Sequence, residues 1–135
     1  MKNYPFLSLS QSLIIIRVST AILFMVHAIM RMVNNTIPQF GKFMTSTGFP
    51  NGEAVVWAIT IYEIVAGTLL IFNRYVRLAA TGLFVIAATG IILIHRHNGW
   101  FVGEHGTGGS EYSVALMMML LVVTAADREN HSANG

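Results

Sequence analysis

Four stretches of the chain are almost wholly apolar, and each is bounded by polar or turn-forming residues. They run roughly from Leu7 to Met30, Ala54 to Phe72, Leu78 to Ile94 and Tyr112 to Ala126. At ~1.5 Å of rise per residue, the first two cover ~30 Å of hydrocarbon outright. The last two are shorter. They cross if their ends extend through His95 and into the polar flank before Tyr112, or if the bilayer thins locally. The pattern predicts an all-α integral membrane four-helix bundle of up-down topology. A single domain over residues 1-135 would carry spans of approximately 7-31, 54-73, 77-95 and 111-126. A cleavable signal peptide explains the first run poorly: it is too long, Arg17 interrupts it and no A-x-A-like site follows.

The connections differ in kind. Asn73 to Arg77 reads as a tight turn that makes spans two and three an antiparallel hairpin. The loops Val33 to Glu53 and Arg96 to Ser110 hold most of the punctuation, including Asn34-Asn35, Pro38, Gly48 and Pro50-Asn51-Gly52. Within the first, Phe40, Phe43, Met44 and Phe49 recur at near-helical spacing, which predicts a short amphipathic segment lying at the membrane interface. Trp100-Phe101 would anchor the second loop. Lys2, Arg74, Arg77 and Arg128 flank one side against Arg31, Lys42 and Arg96 on the other, so the positive-inside rule puts both termini in the cytoplasm.

Helical phasing gathers the polar residues of the first two spans. Ser10, Leu13, Arg17, Thr20, Phe24, His27 and Arg31 fall three or four apart, as do Glu53, Val56, Thr60, Glu63, Gly67, Leu70 and Arg74. The two stripes should face one another. Counted from the cytoplasmic ends, Arg17 lies ~12 Å deep and Glu63 ~15 Å deep, so the expected buried pair is Arg17 with Glu63. Two roles stay open. The pair is a structural salt bridge that fixes register, or Glu63 is a proton-accessible carboxylate beside a cavity.

A second polar group collects near the outer face. His27 lies far along the first helix, His95 ends the third, and Glu111 and Tyr112 open the fourth, with His97, Glu104 and His105 in the adjoining loop. Such residues move protons or ligate metals, and His27 opposite His95 would be one way to clamp a haem iron. The metal signal is weak, because there is no H-E-x-x-H and His95-x-His97 straddles a helix end. No metal site is expected, and haem is disfavoured. The glycine-rich run Gly103 to Ser110 lacks the Lys-Ser/Thr of a phosphate loop. Ser110 as N-cap with Glu111 in the first turn explains it locally. The small residues Ala79, Gly82, Thr89 and Gly90 and the run Met117-Met118-Met119 read as packing.

Composition adds exclusions. Of 135 residues, 54% are hydrophobic and 10% charged, which fits a membrane protein and not a soluble domain. The absence of cysteine rules out thiol redox chemistry, disulfides, thiolate metal sites and Cys-ligated iron–sulfur clusters. Lys and Arg are scattered, so a nucleic-acid partner is not indicated.

Over nearly its full length the chain resembles the DoxX family of small four-helix membrane proteins. The resemblance is carried by Val26-His27-Ala28, Phe40-Gly41-Lys42-Phe43-Met44 through Gly48-Phe49-Pro50, Tyr62-Glu63 with Gly67, Arg77-Leu78-Ala79-Ala80, and His95 through Gly109-Ser110-Glu111-Tyr112. It implies a plasma-membrane protein linked to redox systems. Related proteins are subunits of thiosulfate:quinone oxidoreductase, or assemble with soluble sulfur-transfer or superoxide-handling enzymes. It transfers no catalytic residue, and Cys-dependent chemistry of relatives could not operate here.

The reading that follows is a membrane subunit offering a lipid-accessible, proton-handling pocket to an oxidoreductase partner, with quinone as the candidate ligand. An apolar slot with His27, Tyr62, Glu63, His95, Glu111 and Tyr112 around it would suit quinone chemistry. The rivals are a non-enzymatic carrier or channel for a small solute or lipid, and a purely structural assembly partner. The bilayer is the expected surroundings, and a homo-oligomer is compatible with all three readings.

Overall fold

The computed structural model describes residues 6–93 and 110–133, with side chains described over 6–92 and 113–129. Among these residues the fold is all-α, with five helices and no strand: α1 Leu9–Val33, α2 Ile37–Ser46, α3 Gly52–Ile71, α4 Val76–Leu93 and α5 Ser110–Ala133. α1 and α3 are each long and apolar enough to cross a membrane. The expected amphipathic segment is α2, a helix of its own with Pro38 in its first turn, where a missing N–H costs nothing.

Local chemistry fixes the helix ends. Ser8 and Gln11 form a reciprocal capping box before α1, the Ser8 hydroxyl accepting from the Gln11 N–H at 3.2 Å and the Gln11 side chain accepting from the Ser8 N–H at 2.9 Å. The Asn51 side chain caps α3 by accepting from the Ala54 N–H. Three C-termini close in the same way, each by a residue in the left-handed region: Asn35 after α1, Gly48 after α2 and Asn73 after α3. In each, the next N–H reaches back to a carbonyl five residues earlier, Thr36 to Arg31, Phe49 to Met44 and Arg74 to Leu69. This is the Schellman closure, and it satisfies carbonyls that a helix end would otherwise leave bare.

Each long helix buries one stripe at three- and four-residue spacing: Thr20, Ala21, Phe24 and Ala28 on α1; Val56, Thr60, Glu63, Ala66, Gly67 and Leu70 on α3; Val76, Ala79, Ala80, Leu83 and Ala87 on α4; Ser113, Leu116, Leu120 and Val123 on α5. α1 packs on α3 and α5, and α4 packs on α3 and α5. The main core joins residues of all four, from Phe24 and Leu70 to Leu83 and Leu120. A second cluster lies under α2, where Ile37 and Met44 pack on Val56 with Met32, Phe40 and Phe49 around them.

Close approaches set how the helices lie. A methyl group at Gly52 would run into the Gly41 carbonyl and Thr45, so α2 crosses the start of α3 backbone against backbone. The Thr45 hydroxyl also accepts from the Gly52 N–H at 3.0 Å. At Gly67 a methyl group would meet the Met25 side chain and the Ala21 carbonyl, which puts Ala21 level with Gly67 across the α1–α3 contact. Counting eight residues from Gly67 back to Ile59 on α3, and eight forward from Ala21 to Ile29 on α1, carries the register towards the other end. About one more turn puts Val33 beside the region of Val55. At the start of α1, Arg17 comes level with the end of α3, leaving Leu9 to Ile16, ~12 Å of helix, beyond it.

Candidate functional site

That register decides which cation meets Glu63. The carboxylate is 3% exposed, near the middle of α3, and its partner is Arg31 from the last turn of α1, with Nη1 to Oε2 at 3.1 Å. The expected Arg17–Glu63 pair is not formed. Arg17 lies about eight residues, ~12 Å, along α1 from the level of Glu63, and its Nε donates instead to the Leu70 carbonyl at 2.9 Å. The physical reason is an overhang: α1 has 25 residues and α3 has 20, and the start of α1 is not level with the end of α3 as the sequence count assumed.

The Arg31 guanidinium is held on three sides. The same Nη1 donates to the Thr60 hydroxyl at 2.8 Å, one turn from Glu63 on the same face of α3. Thr60 in turn donates to the Val56 carbonyl at 2.8 Å. The Arg31 Cζ lies 5.8 Å from the Phe40 ring centroid, a cation–π distance, and Phe40 is itself stacked near Phe43 at 6.2 Å between centroids. α2 therefore supplies an aromatic cover to an ion pair made by α1 and α3. Arg31 and Thr60 both stand on the polar stripes of the sequence. Spacing alone singles out neither, because Arg31 follows the apolar run and reads as a flanking charge.

His27 lies one turn before Arg31 and close enough to Glu63 to interact with its charge. It is exposed, and its Nδ1 is 2.7 Å from the Leu23 carbonyl. That contact makes Nδ1 the protonated nitrogen of the neutral ring and Nε2 its acceptor. Tyr62 faces elsewhere. Its hydroxyl lies 3.3 Å from the carbonyls of both Leu78 and Ala79, and the ring fills the notch that Gly82 leaves on α4. So His27 shares the stripe of α1 that carries Arg31, and Tyr62 belongs to the α3–α4 contact.

His95, with His97, Glu104, His105, Trp100 and the glycine-rich run, lies outside the described residues. Glu111 and Tyr112 fall in the first turn of α5, but their side chains also lie outside the described set. Among the described residues, no three His, Asp or Glu side chains gather as a metal-binding group.

An ion pair sunk between two apolar helices, each long and apolar enough to cross a bilayer, is the arrangement expected of a helical membrane protein. The chain belongs to the DoxX family, whose model matches residues 12–96, a stretch that contains Arg17, His27, Arg31, Thr60 and Glu63. No curated protein and no solved structure matches the chain.

Proposed function

We propose that this DoxX-family protein is the membrane subunit of a redox complex, with a polar pocket that exchanges protons with a lipid-soluble carrier of the quinone type. The observation that carries the reading is the pairing of an exposed imidazole with a buried ion pair: His27 at the surface of α1, Glu63 and Arg31 behind it. Quinone reduction takes up two electrons and two protons. The electrons would come from an oxidoreductase partner and the protons need groups that bind and release them at the lipid edge. His27 Nε2 would accept a hydrogen bond from a quinol hydroxyl and take its proton, Glu63 would hold a proton or negative charge nearby, and Arg31 would offset that charge. His95, Glu111 and Tyr112 are the further candidates that the sequence offers for such a pocket.

In this reading α1, α3, α4 and α5 are the four spans of one up-down bundle in the plasma membrane, with cytoplasmic termini and α2 on the opposite surface. The packing weighs against the alternative of a carrier or channel. The stripe that would line a path holds Phe24, Ala28, Val56 and Leu70, each 5% exposed or less.

The test is the protein purified from native membranes in mild detergent, examined for bound quinone by mass spectrometry and by its redox absorption difference. Wild type retains quinone and His27→Ala does not. A wild-type preparation that is empty and takes up no added quinone overturns the reading. Liposome flux of small solutes, compared between wild type and Glu63→Gln, tests the alternative.

A further inference from the structure

We propose that the end of the molecule where α3 closes is a binding site for the phosphate of an anionic phospholipid, formed by Arg17 and Arg74. Arg17 is a partly buried cation on an apolar helix, flanked by the exposed Ile14 and Ile15. Among the described residues no carboxylate pairs with it, and its hydrogen bond goes to a neutral carbonyl. Bonding to the last turn of α3 complements the negative end of that helix, but it uses one of five guanidinium donors and leaves a full charge to be compensated. At this level α3 stops, so Arg17 stands at the edge of the hydrocarbon layer, where a lipid phosphate is the anion within reach.

The surroundings agree. The Arg74 backbone N–H closes on the Leu69 carbonyl while the Arg17 side chain closes on the adjacent Leu70 carbonyl, so the Arg17 guanidinium and the backbone from which the Arg74 side chain springs share one helix end. Arg74 is exposed, and no described carboxylate pairs with it either. Phe72 and Tyr75 on either side are 71% and 74% exposed, the positions that interfacial aromatics take beside headgroups. Charge is also polarised. The described residues at this end are Arg17, Arg74, Arg77 and Arg128 against Asp127 and Glu129, a surplus of two cations. The other end has Arg31 and Lys42 against Glu53 and Glu63, a balance of zero. Arg77 is not part of the site, because its Nε is committed to Asp127 at 3.3 Å. The inference rests on α3 crossing the bilayer and is independent of quinone binding.

Native mass spectrometry of the detergent-solubilised protein, titrated with phosphatidylglycerol or phosphatidylcholine of the same acyl chains, tests it. Wild type retains phosphatidylglycerol in preference, and retention falls roughly fivefold for each of Arg17→Gln and Arg74→Gln. Arg17→Lys, which keeps the charge, and Arg128→Gln, which removes one elsewhere, retain the preference and control for misfolding and for net charge. Equal retention of the two lipids by wild type overturns the proposal, as does an undiminished preference in the Arg17→Gln/Arg74→Gln double variant. Displacement of phosphatidylglycerol by millimolar inorganic phosphate would reassign the site to free phosphate and overturn the lipid assignment.

Discussion

A single nitrogen of Arg31 bonds both Glu63 and Thr60, and so ties the last turn of α1 to the middle of α3. Removing one member of such a pair strands the other charge in an apolar environment, whereas a pair replaced by apolar residues leaves nothing stranded. Arg31→Ala and Glu63→Ala are each expected to cost ~3–5 kcal/mol, with Arg31→Met/Glu63→Leu milder than either. Thr60→Val should cost about 1 kcal/mol, since Arg31 keeps the carboxylate. A double-mutant cycle read by thermal unfolding in detergent should find strong coupling between positions 31 and 63 and almost none between 17 and 63. Coupling the other way round would restore the Arg17 pairing.

The second ion pair should behave differently. Arg77 is more than half exposed where it meets Asp127, so solvent and salt screen the attraction. Arg77→Gln is expected to change stability by ~0.2–1 kcal/mol, and less at high salt. A loss as large as that of Arg31→Ala would mean that α4 and α5 are held together chiefly by charge.

Two glycines on α3 predict opposite tolerances. At Gly52 an added methyl group faces the backbone of α2, which cannot step aside without moving the whole helix. At Gly67 it faces mainly the end of the flexible Met25 side chain. Gly52→Ala should therefore loosen α2, costing ~1–3 kcal/mol, and hydrogen exchange over residues 37–46 should rise selectively. Gly67→Ala should be tolerated within about 1.5 kcal/mol if Met25 repacks. Identical exchange profiles for the two variants would contradict the contrast.

Tyr62 and Gly82 form a lock between α3 and α4. Gly82→Ala pushes directly into the phenol and should destabilise by ~1–3 kcal/mol. Adding Tyr62→Ala in the same chain should recover part of that loss, even though Tyr62→Ala alone is itself destabilising. Melting temperatures of the two single variants and the double variant decide it, and strict additivity would remove Tyr62 as the obstacle.

Much of the architecture was legible because it follows from periodicity. The apolar runs anticipate α1, α3 and α4 to within a few residues, and Phe40, Phe43 and Met44 mark α2. α5 runs past its apolar stretch to Ala133, through Asp127, Arg128 and Glu129, because Arg and Glu are good helix formers and Asp127 is held by Arg77 of α4. The site was half legible. Phasing puts His27, Arg31, Thr60 and Glu63 on facing stripes, and the structure keeps Arg31, Thr60 and Glu63 in contact there. The depth match failed because it measured two helices from ends that the chain does not connect. Counting instead from the Ala21–Gly67 contact puts Arg17 level with Ile71 at the end of α3 and Glu63 level with Met25, nearer to Arg31 than to Arg17.

Surface loops ordinarily absorb inserted residues at little cost, because water stands ready to bond whatever backbone they expose. The turns after α1 and α3 should not have that freedom. With Asn35 and Asn73 in the left-handed region, the Thr36 and Arg74 N–H groups bond the Arg31 and Leu69 carbonyls, so each helix end is closed by its own turn. An extra residue in either turn would break these closing bonds and leave the last carbonyls of α1 and α3 unpaired. These two short segments, and not the apolar helices, are where this protein should be least forgiving of a change in length.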